Sequence, residues 1–415
     1  MSGGGRSAQV RRLPTSGIPP LRRRVTAEPL VVAEVPSGAS APRIVVAGVS
    51  QGTVCGVRDH AALLSSALSA VGTHITTEWR SSTPGASPDL DGLARELDRH
   101  TRAELTDAVL LHYSVFAFSR RGVPAGVPLF ALRLRRLGVP VILFAHEFVY
   151  PWGYRGWRGT AQASTQRVAL LPLVAACDAV VVATAERVRY LQKRRWLPSR
   201  PVAFAPVFST IDRGAAGGTS PAVPGRVGLF SFSASYLAVE LVTGAIADIA
   251  RCRPDAHLAL IGAPGPSGGA ADRWRQAAAA AGCPLVFTGV EGEAAVSRQL
   301  ASCEALVFAD PSGPTSRRTS LAAGLAHGKP VVALDGPQAW CDLVAAGAVS
   351  VVEPSREALA GELGRLLASP VARAAQGEQA EAFYRAHLSP EHAAETLLTV
   401  LAAVTTARGD QAARS

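Results

Sequence analysis

The sequence predicts two consecutive α/β domains, each built on a doubly wound parallel sheet, and three observations carry that expectation. From residue 43 onward, short runs of β-branched and aliphatic residues alternate with longer amphipathic stretches. Such alternation marks strands buried under helices on both faces. It stops at a Gly-, Ala- and Pro-rich segment, 211–225, and then begins again. Finally, 415 residues suffice for two to three domains of roughly 150 residues each.

Residues 1–41, rich in Pro, Gly, Ser and Arg without periodicity, read as a disordered basic tail. Strands are expected at 43–49 (RIVVAGV), 107–112, 139–145 (VPVILFA) and 178–184 (DAVVVAT), where uninterrupted apolar runs fit parallel strands covered on both sides. Helical spacing of apolar residues predicts helices over 56–71, 91–100, 127–137, 160–176 and 185–196. Together these make a first domain, 42–210. The segment 211–225 is a linker by composition. Strands at 226–232, 256–261, 285–288, 305–309, 330–334 and 349–352 follow, with helices over 236–251, 270–281, 293–302, 317–327 and 356–367, in a second domain, 226–387. A break near Leu388 precedes a last amphipathic helix, 390–404, and a tail, 406–415.

Composition narrows the function classes. Hydrophobic residues make up 48% of the chain and charged residues 18%, enough apolar material for two cores and too little charge for wholesale disorder. No run reaches the roughly 18 apolar residues of a membrane span, and no short apolar core near the start suggests a cleaved leader. The net charge is +10, carried almost wholly by arginine, since Lys193 and Lys329 are the only lysines. The arginines are scattered and accompany no nucleic-acid-binding signature, so no nucleic-acid partner is expected. The cysteines (Cys55, Cys177, Cys252, Cys283, Cys303, Cys341) form no C-x-x-C pair, which fits reduced thiols in a cytoplasmic protein.

Ligands of open α/β sheets bind beyond the carboxyl ends of the strands, so the loops there carry the chemistry. After the first strand stands Gly48-Val-Ser-Gln-Gly52-Thr-Val-Cys55-Gly56-Val-Arg58-Asp59-His60. Its glycines and the following helix N-terminus suit a flexible substrate loop; a plain βα turn is the other reading. The strand 139–145 runs into His146-Glu147-Phe-Val-Tyr150-Pro-Trp152, a titratable pair followed by aromatics. That grouping suits proton handling and acceptor binding, while a structural histidine and an aromatic loop packed on its own helix remain open.

The most informative stretch is Asp310-Pro-Ser-Gly-Pro-Thr315-Ser316-Arg317-Arg318-Thr319-Ser320, followed by Leu-Ala-Ala-Gly-Leu-Ala-His-Gly-Lys329-Pro330-Val-Val-Ala. Ser316, Thr319 and Ser320 are candidate N-caps. Arginines at a helix N-terminus are unfavourable unless an anion sits there. Two adjacent arginines with hydroxyls and unpaired amides therefore form a candidate diphosphate cradle, against the simpler reading of a solvated, capped helix. The run Gly324–Pro330 is no phosphate loop, because its spacing is one residue short and a proline replaces the Mg²⁺-binding hydroxyl.

On these residues the chain resembles the GT-B glycosyltransferases, in particular glycosyltransferase family 4, over roughly 43–405. The family line, approximately P-S-x-x-E-G-F-G-x3-L-E-A-M-A-x-G-x-P-V-V-A, corresponds to Pro311 through Ala333 here. Two family glutamates fall on Thr315 and Ala323, and the basic diphosphate contacts after the first strand of the second domain are missing from 231–236.

The resemblance implies two Rossmann-like domains facing a cleft, and a final segment, 388–405, crossing back to the first domain. It also implies sugar transfer, with retention of configuration, from a nucleotide diphosphate sugar to a small hydrophilic acceptor (a sugar, aminocyclitol or thiol). Arg317 and Arg318 would stabilise the leaving diphosphate, with Gly56, Thr315, Ser316, Thr319, Ser320, Gly289, Val290 and Glu291 around the donor. His146 would orient the acceptor or act as base, and Arg58, Asp59, His60, Glu147, Tyr150 and Trp152 would line the acceptor pocket. No cofactor or metal is expected, since two cationic side chains, Arg317 and Arg318, can do a metal's work at the diphosphate. The Arg, Ala and Gly bias of a GC-rich, actinobacterial-looking sequence directs the expectation to secondary-metabolite or antibiotic biosynthesis. A non-catalytic GT-B subunit that binds a nucleotide or a partner is the alternative that the lost glutamates suggest. A homodimer stays open.

Overall fold

The structure, a computed structural model, describes residues 41–52, 55–83, 86–103, 106–119, 121–153, 156–216, 221–231, 237–262 and 268–414. The expected tail therefore falls almost wholly outside the described residues.

Two parallel sheets organise the chain. The first comprises β1 (Arg43–Gln51), β2 (His74–Ser82), β3 (Ala108–Ser114), β4 (Val141–Glu147), β5 (Ala179–Val182) and β6 (Val202–Phe204), in the order β2-β1-β3-β4-β5-β6. Its crossover helices are α1 (Gly56–Ala70), α2 (Leu90–Arg102), α3 (Val127–Leu134), α4 (Gly156–Ala176) and α5 (Ala185–Gln192). The second comprises β7 (Arg226–Ser231), β8 (His257–Gly262), β9 (Leu285–Gly289), β10 (Ala305–Phe308), β11 (Val331–Leu334) and β12 (Ser350–Val352), in the order β12-β11-β10-β7-β8-β9. With it go α6 (Val239–Cys252), α7 (Gly269–Ala281), α8 (Glu293–Ala301), α9 (Thr319–Ala326), α10 (Cys341–Ala345), α11 (Arg356–Ala368) and α12 (Pro370–His387), and a last helix, α13 (Pro390–Arg414), follows.

Alternation along the strands builds a core on each side of each sheet. In β1, Val45, Ala47 and Val49 enter one cluster with residues of α2, α3 and α4. Ile44 and Val46 point the other way, to Leu64 and Leu68 of α1 and to Leu397, Val400, Leu401 and Val404 of α13. Each such buried aliphatic side chain contributes about 1.5–3 kcal/mol, so the last helix is held to the first sheet. It is also pinned by Arg408, whose Nε and Nη2 bond Asp178 at 2.9 and 3.0 Å while Nη1 donates to the Gly138 carbonyl. These contacts are why α13 continues to Arg414 where a tail is expected over 406–415. In the second sheet, Leu258 and Leu260 face Trp274 of α7, while Ala259 and Ile261 face Leu300 of α8 and Phe383 of α12.

Several elements depart from expectation for identifiable reasons. The edge strand β2 is polar and has no buried residue, so it lacks the apolar run that marks its neighbours. The helix α12 is rich in Ala, Gln, Glu and Arg and starts at Pro370, capped by Ser369, whose Oγ accepts from the Ala372 amide at 3.2 Å. Among its described residues the linker holds a 3₁₀ turn, Arg213–Ala216. Strand order reverses between β1 and β3 in one sheet and between β7 and β10 in the other. Ligand crevices of doubly wound sheets open beyond the strand ends at such reversals.

Candidate functional site

The loop after β10 occupies the second sheet's reversal point. Its fold begins with Asp310, whose buried Oδ1 accepts from the Ser312 amide at 2.9 Å and hydroxyl at 2.6 Å. The far side is held by the Gln338 amide donating to the Ser312 carbonyl and the Trp340 amide to the Pro314 carbonyl, both at 2.8 Å. Backbone packs directly on backbone here: a Cβ added to Gly336 would lie 2.3 Å from the Gly313 nitrogen. No side chain fits at that position.

The arginines of this loop are engaged. Arg318 Nη2 pairs with Asp310 Oδ2 at 2.7 Å, and Arg317 Nη2 donates to Gln338 Oε1 at 3.2 Å. The hydroxyls behave differently from the expected caps. The N-cap of α9 is Arg318, with no side-chain cap bond, and Thr319 and Ser320 are its first helical residues. Ser316 is buried and donates through Oγ to the Ala183 carbonyl at 2.7 Å, while its own carbonyl accepts from the Val207 amide at 2.9 Å. It is a clip between the two halves of the chain rather than a ligand at a helix end. Thr315 is buried too, and its Oγ1 has no hydrogen-bond partner among the described residues. Hydroxyl residues favour caps, but a hydroxyl that can satisfy a buried carbonyl across the cleft is drawn inward.

The clip brings the loop against the carboxyl end of the first sheet. There Arg187, on α5, donates through Nη1 to the His146 carbonyl and lies with its guanidinium carbon 5.4 Å from the centre of the Phe148 ring. Burial and the charge of Arg317 pull its pKa down to about 10, against the opposing pull of Glu147 and Glu186. The half-buried Arg187 thus lies within reach of the Arg317 charge, and each guanidinium makes the other's charge costlier. The sequence reading missed Arg187, which looks like ordinary surface charge on a short helix; its position two residues into a helix that follows a buried strand is the one signal available.

Beyond Arg187 lies a group of three histidines. His112 is on β3, in register with Gly48 of β1 and Phe144 of β4. His146 stands two residues past Phe144, and alternation therefore puts it on the same face. The helix α1 covers that face and inserts His60, which stacks on Phe208 with ring centres 4.1 Å apart. Gly48 leaves room for Trp79, because a Cβ there would meet its ring at 2.4 Å. His112 Nδ1 and His146 Nε2 are 3.0 Å apart, and one ring nitrogen from each of the three histidines lies within 4.8 Å of the others. Burial pushes the His112 pKa down to about 3. Burial, followed by neighbouring charge, holds His60 and His146 well below the ordinary imidazole range. All three are neutral at physiological pH.

His60 is 1% exposed, so it lies beneath the surface where an acceptor contact was expected. Glu147 is exposed beside the group, and Arg58 and Asp59 lie on the first turn of α1. Gly56 opens that helix; Cys55 is its N-cap without a side-chain cap bond, and 53–54 lie outside the described residues. The aromatics after β4 do not form one wall. Trp152 stands under the Arg167 guanidinium, 4.0 Å from the ring centre. Tyr150 packs near Phe116 with its amide bonded to Gln166 Oε1 at 2.7 Å. This is the packing of a loop on its own helix α4. Gly289 ends β9 with φ of 82°. Val290 is exposed, and Glu291 Oε1 accepts from Gln299 Nε2 at 3.5 Å. These three stand at the far edge strand, two strands from the β7–β10 reversal. The loop 232–236 lies outside the described residues. Lys329 is structural: Nζ is half-buried and donates to the Ala301 and Cys303 carbonyls.

No helix among the described residues is long and apolar enough to cross a membrane. No protein-family model and no curated protein sequence matches the chain. Among solved structures it is similar to a sucrose-phosphate synthase (tll1590) from Thermosynechococcus elongatus, at 15% identity and a TM-score of 0.59, over 88% of this chain and 100% of that one. It is similar to a glycosyltransferase from Rickettsia africae at 11% identity and a TM-score of 0.65, over 88% and 99%. A third likeness is to Anabaena Alr3699/HepE in complex with UDP and glucose, at 14% identity and a TM-score of 0.61, over 87% and 99%. At these identities the likeness is one of architecture: the chain has the GT-B fold, two Rossmann-like domains facing a central cleft.

Proposed function

We propose that the protein transfers a sugar from a nucleotide diphosphate sugar to a small hydrophilic acceptor. The observation that carries this reading is that Arg187, half-buried at the end of the first sheet, feels the charge of Arg317 on the loop at the reversal point of the second sheet. Two cations brought into reach of each other are complementary to a dianionic diphosphate. The likeness to a protein bound to UDP and glucose supports the same ligand class.

In this reading the diphosphate develops charge as the glycosidic bond breaks. Arg187 and Arg317 meet that charge from opposite walls, with the first amides of α9 adding the positive end of the helix. Arg318, paired with Asp310, holds the loop that carries Arg317. His146, neutral and half-buried, orients the acceptor's hydroxyl or thiol, beside Glu147, Arg58 and Asp59. Retention of configuration follows from the sequence resemblance to glycosyltransferase family 4. There the departing phosphate takes the acceptor proton on the same face.

The experiment is release of nucleoside diphosphate from UDP-, GDP-, ADP- and dTDP-sugars, with and without a mixture of sugar, aminocyclitol and thiol acceptors. Release that rises with acceptor supports transfer. A non-catalytic nucleotide-binding subunit would bind a nucleoside diphosphate and release none.

A further inference from the structure

We propose that His60, His112 and His146 form a binding site for one divalent first-row transition metal ion, zinc by preference. The residues come from three separate elements, α1, β3 and the end of β4, and their ring nitrogens converge within 4.8 Å. Zinc–imidazole bonds of about 2.0–2.1 Å put tetrahedral ligand nitrogens about 3.3 Å apart. One pair already stands at 3.0 Å, and the others close on a central ion by little more than an ångström.

Hydrogen bonding leaves the cluster incomplete. Three imidazoles make one ring-to-ring bond, between His112 and His146. Both nitrogens of His60 and Nε2 of His112 are buried with no hydrogen-bond partner among the described residues. Buried polar atoms are as a rule satisfied, so orphaned nitrogens on neighbouring rings call for a shared partner. An ion held by His112 Nδ1 and His146 Nε2 would take the place of their hydrogen bond and give one nitrogen of His60 a partner.

The donor set selects the ion. Imidazole nitrogens without carboxylate or thiolate suit zinc, copper, nickel or iron, and disfavour magnesium and calcium. Metal ligation requires the neutral imidazole, the form that burial already imposes on all three rings. Three protein ligands leave the fourth position to solvent or to an anion, the pattern of an open rather than a closed zinc site. The expectation of no metal rests on arginines taking a metal's place at the diphosphate, which says nothing about histidines brought together by topology. It shares His146 with the proposed acceptor site, and it is tested by metal binding alone, without the transfer reaction.

The test uses the full chain produced without a polyhistidine tag, stripped with chelator and titrated with Co²⁺, then with Zn²⁺. The expected result is one equivalent retained through gel filtration, a visible Co²⁺ spectrum without the thiolate charge-transfer band, and displacement by zinc. His60→Phe and His112→Phe should each abolish it, while His74→Ala and His257→Ala should keep it. Circular dichroism checks that the variants fold. Should they not, X-ray absorption of the wild-type zinc form decides alone, with three imidazoles expected. Failure of the wild type to retain an equivalent, retention by the folded His60→Phe/His112→Phe double variant, or thiolate ligation would overturn the proposal.

Discussion

The two strand ends that face each other across the cleft are built from opposite materials. The first sheet presents neutral rings, His60, His112, His146, Phe144 and Phe208, each packed face-on or edge-on against a neighbour with ring centres 4.1–5.9 Å apart. The second presents a charged loop whose every turn is held by hydrogen bonds, from Asp310 to Ser312 and from Gln338 and Trp340 back to the loop. One side is shaped by packing, the other by charge. On the proposed function the difference is a division of labour: the loop bearing cations would hold a charged leaving group, while an acceptor or ion would meet side chains kept neutral by burial. Arg187 crosses this division, standing on the ring-lined side and facing the charged one.

The comparison breaks most severely where that crossing is removed. Arg187→Ala and Arg317→Ala should each lower kcat about 10²–10³-fold, the scale of losing one preorganised donor to a developing anion. Nucleoside diphosphate release under saturating donor checks this. A change within a few-fold would mean that the pair is structural.

Rigidity of the charged side is tested at Gly336. Its substitution by Ala drives a methyl group into the Gly313 and Ser312 backbone, a strain expected to cost about 1–3 kcal/mol. A lower Tm with a raised donor KM is the predicted outcome. An unchanged KM would show that the loop does not depend on this packing.

The ring-lined side is sharpened by pH. Its histidines have pKa values in the folded chain below the ~6.5 of a free imidazole. Below that pH the unfolded chain binds more protons than the folded one. Stability is therefore full above pH 6.5 and falls as pH drops toward about 3 for His112, by up to ~1.4 kcal/mol per pH unit for each histidine. Thermal unfolding between pH 8 and pH 5 in metal-free buffer should show this slope. His60→Phe/His112→Phe should flatten it; an identical slope in that variant would assign it to other groups.

Legibility from sequence follows the same line. The buried strands β1, β3, β4, β7, β8 and β10 announce themselves because both faces are covered and apolar runs are unbroken. The edge strand β2, with its HITTEWRSS sequence and no buried residue, carries no such signal. Arg317 and Arg318 are conspicuous at a helix start, where their charge opposes the dipole. Ser316 is misread because a hydroxyl before a helix looks like a cap, and nothing local says that a carbonyl of another domain, Ala183, waits for it. The histidine group is illegible for a similar reason. Only the pairing of β3 with β4 and the passage of α1 over them bring residues 60, 112 and 146 together.

The central claim is that the Arg187–Arg317 approach is a diphosphate site. Its most direct test is thermal unfolding of the wild type and of Arg317→Ala with UDP, GDP, ADP and dTDP. Binding to the folded chain alone adds about 2.7 kcal/mol at one hundred times the dissociation constant. One nucleotide should raise the wild-type Tm well above the others, and Arg317→Ala should lose most of that shift. No shift with any of the four, or an equal shift in the variant, would contradict the account.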